Sequence, residues 1–258
     1  MKRIALLILV FALWPLAAFA GLTRAQLDNL KLAPPPGARV PLDLVFRNLD
    51  NHQVTLGEAI GKRPALLLPV DYTCKEICGP ALSITAGALA GTGLTAGRDY
   101  SLVIVGIDPR DGIDAARTFT AAQVGGPGVS VLTGDKASIL ALTRAIGYTF
   151  VPDDRNDAIA HPAGLVSLTA DGRVTRALSS LALEPTDLRL ALLEAGEGHI
   201  GGIIGQLTLL CYGFDAVHGI YTRNIETVLR IAGVMTVALI AAGIGFLTWR
   251  TNRKGAVT

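Results

Sequence analysis

Residues 63 to 71, RPALLLPVD, are apolar at almost every position. A strand with one wet face alternates apolar and polar side chains, so a strand without alternation must be covered on both faces. Residues 100 to 108, YSLVIVGID, repeat the pattern. Two such strands demand a layer of other structure on each side of one sheet, and the segments around them supply it. Residues 80 to 94 (PALSITAGALAGTGL), 111 to 124 (DGIDAARTFTAAQV), 136 to 150 (KASILALTRAIGYTF) and 184 to 196 (EPTDLRLALLEAG) read as helices, with a further strand at 129 to 134 (VSVLTG). Strands alternating with helices predict a mainly parallel sheet.

Two hairpins complete the pattern. Residues 162 to 174 (PAGLVSLTADGRV) are expected to turn at Asp171-Gly172, closing the sheet with an antiparallel pair. Upstream, VPLDLVF (40 to 46) alternates, NLDNHQ turns, and VTLGEAI (54 to 60) is expected to return as the second strand of an N-terminal hairpin. The expected fold is α/β and thioredoxin-like, with that hairpin as an N-terminal extension and one C-terminal transmembrane helix.

Apolar segments at the two ends set the expected topology. Lys2 and Arg3 precede an apolar run to about Leu16, and Ala18-Phe19-Ala20 gives the small-x-small pattern of a cleaved secretory signal before Gly21. Ile231 to Trp249 carry no charge; about 19 residues at 1.5 Å each roughly match a hydrocarbon core of 30 Å. Trp249, then Arg250, Arg253 and Lys254, place the far end in the cytoplasm. The expected division is a signal at 1–20, a linker at 21–36, the domain at 37–196, a juxtamembrane connection at 197–227, the helix at 228–249 and a tail at 250–258. The domain then faces the periplasm, tethered to the inner membrane by a single pass. A formal net charge of +2, with no basic-aromatic patch, gives no case for nucleic acid.

Export brings an oxidising compartment, yet the chain has 3 cysteines, so they cannot all pair internally. Cys74 and Cys78, in DYTCKEICGPA, follow the first apolar strand where the chain enters a helix. Ligand sites of α/β sheets collect at that edge. If the segment is helical, residues four apart share a face, and a helix start favours thiolates. Three uses compete. A structural disulfide would close a very small loop and staple little. Thiol–disulfide exchange suits the fold but normally has two residues between the cysteines. A soft-metal site suits Cu(I) or zinc, although zinc prefers four ligands. Of the four histidines, His52 lies in the hairpin turn, His199 among glycines and His218 near the membrane segment. His161 ends a polar loop just before a strand of the same sheet, where it can overhang the site. Cys211, flanked by Leu209, Leu210 and Tyr212, reads as a buried apolar residue; the alternatives are a copper contact with His218 or a resolving thiol.

Four motifs in order, YTCKEICGP, VGIDPRD (105 to 111), VLTGDKASI (131 to 139) and AHPAGLVSLTADGRV (160 to 174), make the chain resemble the Sco/SenC family over roughly residues 35 to 195. These are copper-handling proteins of thioredoxin fold that assist copper insertion into cytochrome c oxidase and sometimes act in thiol redox. The resemblance implies Cys74 and Cys78 as thiolate ligands, His161 as the distal imidazole, copper as Cu(I) or Cu(II), and a respiratory oxidase subunit as recipient. The alternative it leaves open is an oxidoreductase using the Cys74–Cys78 pair to reduce a partner's copper-site cysteines. Asp108 and Asp111 match acidic positions with no ligand role, expected to serve turn and helix-cap chemistry. The chain departs from the family in three ways. Gly79 separates the second cysteine from Pro80, His161 lies between Ala160 and Pro162, and the anchor is C-terminal, as in a bacterial subgroup.

Overall fold

A computed structural model of the chain describes residues 29–74, 78–153, 157–197, 212–215, 220–223, 230 and 233–244. The expected signal, Cys211, His199, His218 and the C-terminal tail lie outside the described residues. The strands are β1 (Lys31–Leu32), β2 (Val45–Arg47), β3 (Gln53–Thr55), β4 (Ala65–Val70), β5 (Ser101–Gly106), β6 (Val129–Leu132), β7 (Tyr148–Thr149), β8 (Val151–Asp153), β9 (Ala158–Ala160), β10 (Gly164–Leu168), β11 (Val174–Ser179), β12 (Tyr212–Asp215) and β13 (Ile220–Arg223). The helices are α1 (Leu56–Ile60), α2 (Cys78–Ala90), α3 (Ile113–Thr120), α4 (Lys136–Ala145) and α5 (Pro185–Ala195).

The main sheet has five strands in the order β11-β10-β4-β5-β6. β4, β5 and β6 are parallel, and β10 runs antiparallel to both β4 and β11. Every residue of β4 and β5 is buried, as the unbroken apolar runs require. On one face Leu66, Leu68 and Val70 meet Leu82, Ala88, Leu188, Ala191 and Leu192 of α2 and α5, with Ala116 of α3. On the other, Leu67, Val103 and Val105 meet Ile139 and Leu142 of α4, the hairpin residue Phe46, and Leu56 and Ile60 of α1. This is the thioredoxin-like arrangement expected from the alternation.

Three local expectations are corrected. VTLGEAI does not continue as a strand; only Gln53–Thr55 pairs with β2, and α1 begins at Leu56. Thr55 and Glu58 form a capping box, in which Glu58 N donates to Thr55 Oγ1 at 3.2 Å and Thr55 N to Glu58 Oε2 at 2.7 Å. The polar stretch after β7 is not a loop but the β8–β9 hairpin, with Val151 opposite Ala160. The helix expected to run to 150 stops at Ala145, and Gly147, at φ 62°, turns the chain back. A Cβ at Gly147 would lie on the Ala33 carbonyl, so only glycine lets the N-terminal segment pass there to form β1 against β7.

Part of the expected juxtamembrane connection forms the antiparallel β12–β13 pair. Residues 233–244 are helical and exposed throughout. Among the described residues no helix is long and apolar enough to cross a membrane, and the rest of the expected span lies outside them.

Candidate metal centre

β4 delivers the chain to the site, and its end shows how the edge is kept open. The β4–β10 ladder ends at Leu67 opposite Val166. Pro69, two residues on, therefore faces the side β10 has left, where it has no N–H to leave unpaired. The chain leading from His161 into β10 comes in across this gap.

The turn after β4 is pinned by Tyr72, a residue the sequence alone did not single out. Its hydroxyl donates to the Leu132 carbonyl at 2.9 Å and lies 3.2 Å from the Ile104 carbonyl. Its ring fills the space a Cβ would occupy at Gly106 and packs edge-on against Phe119, centroids 5.7 Å apart. Burial pushes its phenol pKa well up. Its backbone N–H donates to Asp111 Oδ2 at 2.8 Å. Asp71 accepts from the N–H and hydroxyl of Thr73, both at 2.9 Å, and its carbonyl receives Cys74 N at 3.3 Å. One strand end thus sets the backbone of three successive residues leading to the first thiol.

Cys74 is half-buried in this turn, whereas Cys78 is buried and is the first residue of α2. The two do not share a described helical face; turn and helix start converge instead. His161, just past β9, brings Nε2 to 2.9 Å from Cys78 Sγ. The ligand atoms of Cys74, Cys78 and His161 all lie within 4.8 Å of one another, the one cluster of three such groups among the described residues. An ion bonded at about 2.3 Å to sulfur and about 2.0 Å to nitrogen can reach all three donors at that spacing. The set of two soft sulfurs and one imidazole suits copper or zinc rather than calcium or magnesium.

Electrostatics correct one expectation. The helix start was expected to favour thiolate, but burial, aided by the neighbouring Cys74 thiol, raises the Cys78 pKa strongly. The same burial lowers His161, outweighing the Pro162 carbonyl and Asp71, so the imidazole is neutral and ready to bind a cation. A protonated Cys78 thiol must lose its proton before an ion can take both Sγ and Nε2.

Asp108 and Asp111 lie outside the cluster. Burial would raise Asp108, but hydrogen bonds from Arg110 outweigh it and hold its carboxyl low. Arg110 Nη2 meets Asp108 Oδ2 at 2.6 Å, and Nη1 meets Asp157 Oδ1 at 2.6 Å, tying the β5–α3 turn to the β8–β9 hairpin. Asp111 does not cap α3; Gly112 occupies the N-cap with no side-chain bond. Desolvation first, then the charges of Asp71 and Asp108, push the Asp111 carboxyl up to about 6 against the bonds it accepts.

Fold and site together define a thioredoxin-like domain with a Cys-Cys-His donor set at the carboxyl edge of its sheet. No protein-family model matches the chain, and no curated protein sequence does. Solved structures do share the fold. A protein of Aquifex aeolicus VF5 assigned to electron transfer superposes with a TM-score of 0.57 at 22% identity, covering 65% of this chain and 98% of its own. BsSco, described with a disulfide switch as a member of the Sco family of cytochrome c oxidase assembly proteins, gives 0.53 at 19%, covering 64% and 97%. A SCO1/SenC family lipoprotein from Bacillus anthracis gives 0.50 at 16%, covering 60% and 92%.

Proposed function

We propose that this chain is a membrane-tethered periplasmic copper chaperone of the Sco/SenC type, which passes copper to a respiratory cytochrome c oxidase. The convergence of Cys74, Cys78 and His161 within 4.8 Å, from positions 83 residues apart, carries this reading. Two thiolates suit Cu(I), and the imidazole makes the same set acceptable to Cu(II). A half-exposed Cys74 beside a buried Cys78 suits delivery, because a recipient's ligand can approach from the Cys74 side while Cys78 and His161 still hold the ion. Such transfer is ligand exchange and needs no turnover chemistry. The four sequence motifs and the shared fold of BsSco support the family assignment.

The anchor rests on the charge-free run from Ile231 to Trp249, within the expected helix at 228–249. Its helical residues Val234, Met235, Val237, Leu239, Ile240 and Ile244 are 58% to 71% exposed, an apolar surface that water does not tolerate and lipid covers. A reporter fused after Thr258 is expected to be active in the cytoplasm, and one near Gly196 outside it; the reverse would refute the topology.

The rival reading is a thiol–disulfide oxidoreductase acting on a partner's copper-site cysteines, and the two free, adjacent thiols favour it. It needs Cys74 and Cys78 but not His161. A His161→Ala variant that loses copper binding while still exchanging disulfides supports the chaperone. Copper binding unaffected by that change would remove His161 from the site.

A further inference from the structure

His161 Nδ1, the ring nitrogen facing away from the cysteines, has two oxygen neighbours. Tyr148 Oη lies 2.7 Å away and the Pro162 carbonyl 3.1 Å away, and the same hydroxyl donates to that carbonyl at 2.9 Å. A carbonyl only accepts, so it selects the arrangement of protons. The Tyr148 proton goes to Pro162 O, which leaves the phenol oxygen accepting from Nδ1–H. The imidazole then carries its one proton on Nδ1 and turns an unprotonated Nε2 to Cys78 Sγ, 2.9 Å away, where it accepts the thiol proton. Each of the three donors, the Cys78 thiol, His161 Nδ1–H and the Tyr148 hydroxyl, then has an acceptor, and the opposite tautomer would set two lone pairs against each other at Nδ1 and the carbonyl.

We propose that Tyr148 is the positioning residue of the metal centre: its buried hydroxyl fixes the tautomer and tilt of His161 so that Nε2 is ligand-ready before metal arrives. An ion can then take Nε2 with no change of tautomer and with the Tyr148–Pro162 bond kept. The placement of Tyr148 is itself built in. Its backbone forms β7, held antiparallel to β1 with Leu32 opposite Tyr148, and its ring is buried and tilted against Phe150 and His161. Outer-sphere partners of ligating histidines orient the ring and set its basicity, and losing one costs about 10–100-fold in metal affinity.

The inference rests on the metal-site reading, but its first test needs no metal. Long-range ¹H–¹⁵N spectra of the reduced, metal-free full-length protein are expected to show His161 protonated on Nδ1 with Nε2 bare. A wild-type His161 protonated on Nε2 would overturn the proposal, whatever the protein binds. In Tyr148→Phe, which keeps the buried ring and removes the hydroxyl, the Nδ1–H preference is expected to fall, with Cu(II) affinity down about 10–100-fold. A Tyr148→Phe protein with the wild-type tautomer and the wild-type affinity would also overturn it. Wild-type protein that shows the expected tautomer yet takes up no copper would contradict the functional reading and leave the role of Tyr148 standing.

Discussion

Cys78 reaches the metal centre from the middle of the main sheet, whereas His161 reaches it from a two-stranded hairpin outside that sheet. The cysteine half follows a strand buried at all six positions and paired on both sides, and its turn is fixed by Tyr72, Asp71 and Asp111. The histidine half hangs on β8 and β9, which lie outside the main sheet and meet the body through the buried Ile159 and the exposed Arg110–Asp157 ion pair, with the Tyr148 hydroxyl holding His161 just past them. Buried, paired strands open only at free energies near that of global unfolding, while short peripheral hairpins open far more readily. Built this way, the site sets its two sulfurs on the sheet and its imidazole on the periphery, where Tyr148 holds the ring.

The largest expected effect falls on the rigid half. Cys78→Ser removes one of the two soft donors of the described cluster, and Cu(I) affinity should drop by well over about 100-fold, beyond the loss of an outer-sphere partner. Isothermal titration with a competing Cu(I) chelator reads this directly. Affinity within tenfold of wild type would mean that the sulfurs are not the principal ligands.

Next in size is the loss of the peripheral donor. His161→Ala should weaken Cu(II) markedly and Cu(I) less, because the softer ion is held mainly by sulfur. Equal losses for both ions would erase the proposed division of labour between the two halves.

Asp111 sharpens the comparison through pH. Its carboxyl titrates near 6 in the folded protein, above the ordinary value of 3.8, because burial and the charges of Asp71 and Asp108 disfavour the anion. A raised folded pKa means that this group's stabilising contribution is full below pH 3.8 and is lost as pH rises through 6. Asp111→Asn keeps an acceptor for the Tyr72 N–H and removes the titration. Denaturant unfolding at pH 4 and pH 7 should show wild type losing about 1–2 kcal/mol more than the variant across that window. Parallel pH profiles would show that the cysteine turn does not depend on this carboxylate.

The smallest effect belongs to the hairpin's outer tie. Asp157 sits at φ 46°, a region asparagine tolerates, so Asp157→Asn removes the charge and leaves the backbone at ease. The pair is solvent-exposed on both sides, so global stability should change by no more than about 1 kcal/mol. Amide exchange should nevertheless quicken at Val151–Asp153 and Ala158–Ala160 and stay unchanged in β4. Uniform acceleration across the protein would mean that the hairpin is not an independent unit.

The same contrast explains what could be read from the sequence. β4 and β5 were legible because burial on both faces leaves a run of apolar residues that admits one interpretation. The cysteines were legible from their position at the end of such a run, and His161 from its position ahead of β10. The β8–β9 hairpin was not, because VPDDRNDAIAH is mostly polar and buries only Ile159 among its described residues, too little to show a period of two. α1 was missed although Thr55 and Glu58 spell its capping box; the β propensity of Val54 and Thr55 masked it. Tyr148 carried no signal of its role, since its partners are a histidine brought close by tertiary folding and a backbone carbonyl. The thiol pKa was misjudged for a related reason. A helix start is visible in sequence, but the depth to which Cys78 is buried is a property of the packed core.

The central claim, that Cys74, Cys78 and His161 together hold one copper ion, is tested most directly by metal analysis and copper X-ray absorption on the reduced full-length protein. One copper per chain is expected, with two sulfur scatterers and an imidazole signature that disappears in His161→Ala. No stoichiometric copper, or a copper shell that keeps its imidazole in His161→Ala, would contradict it.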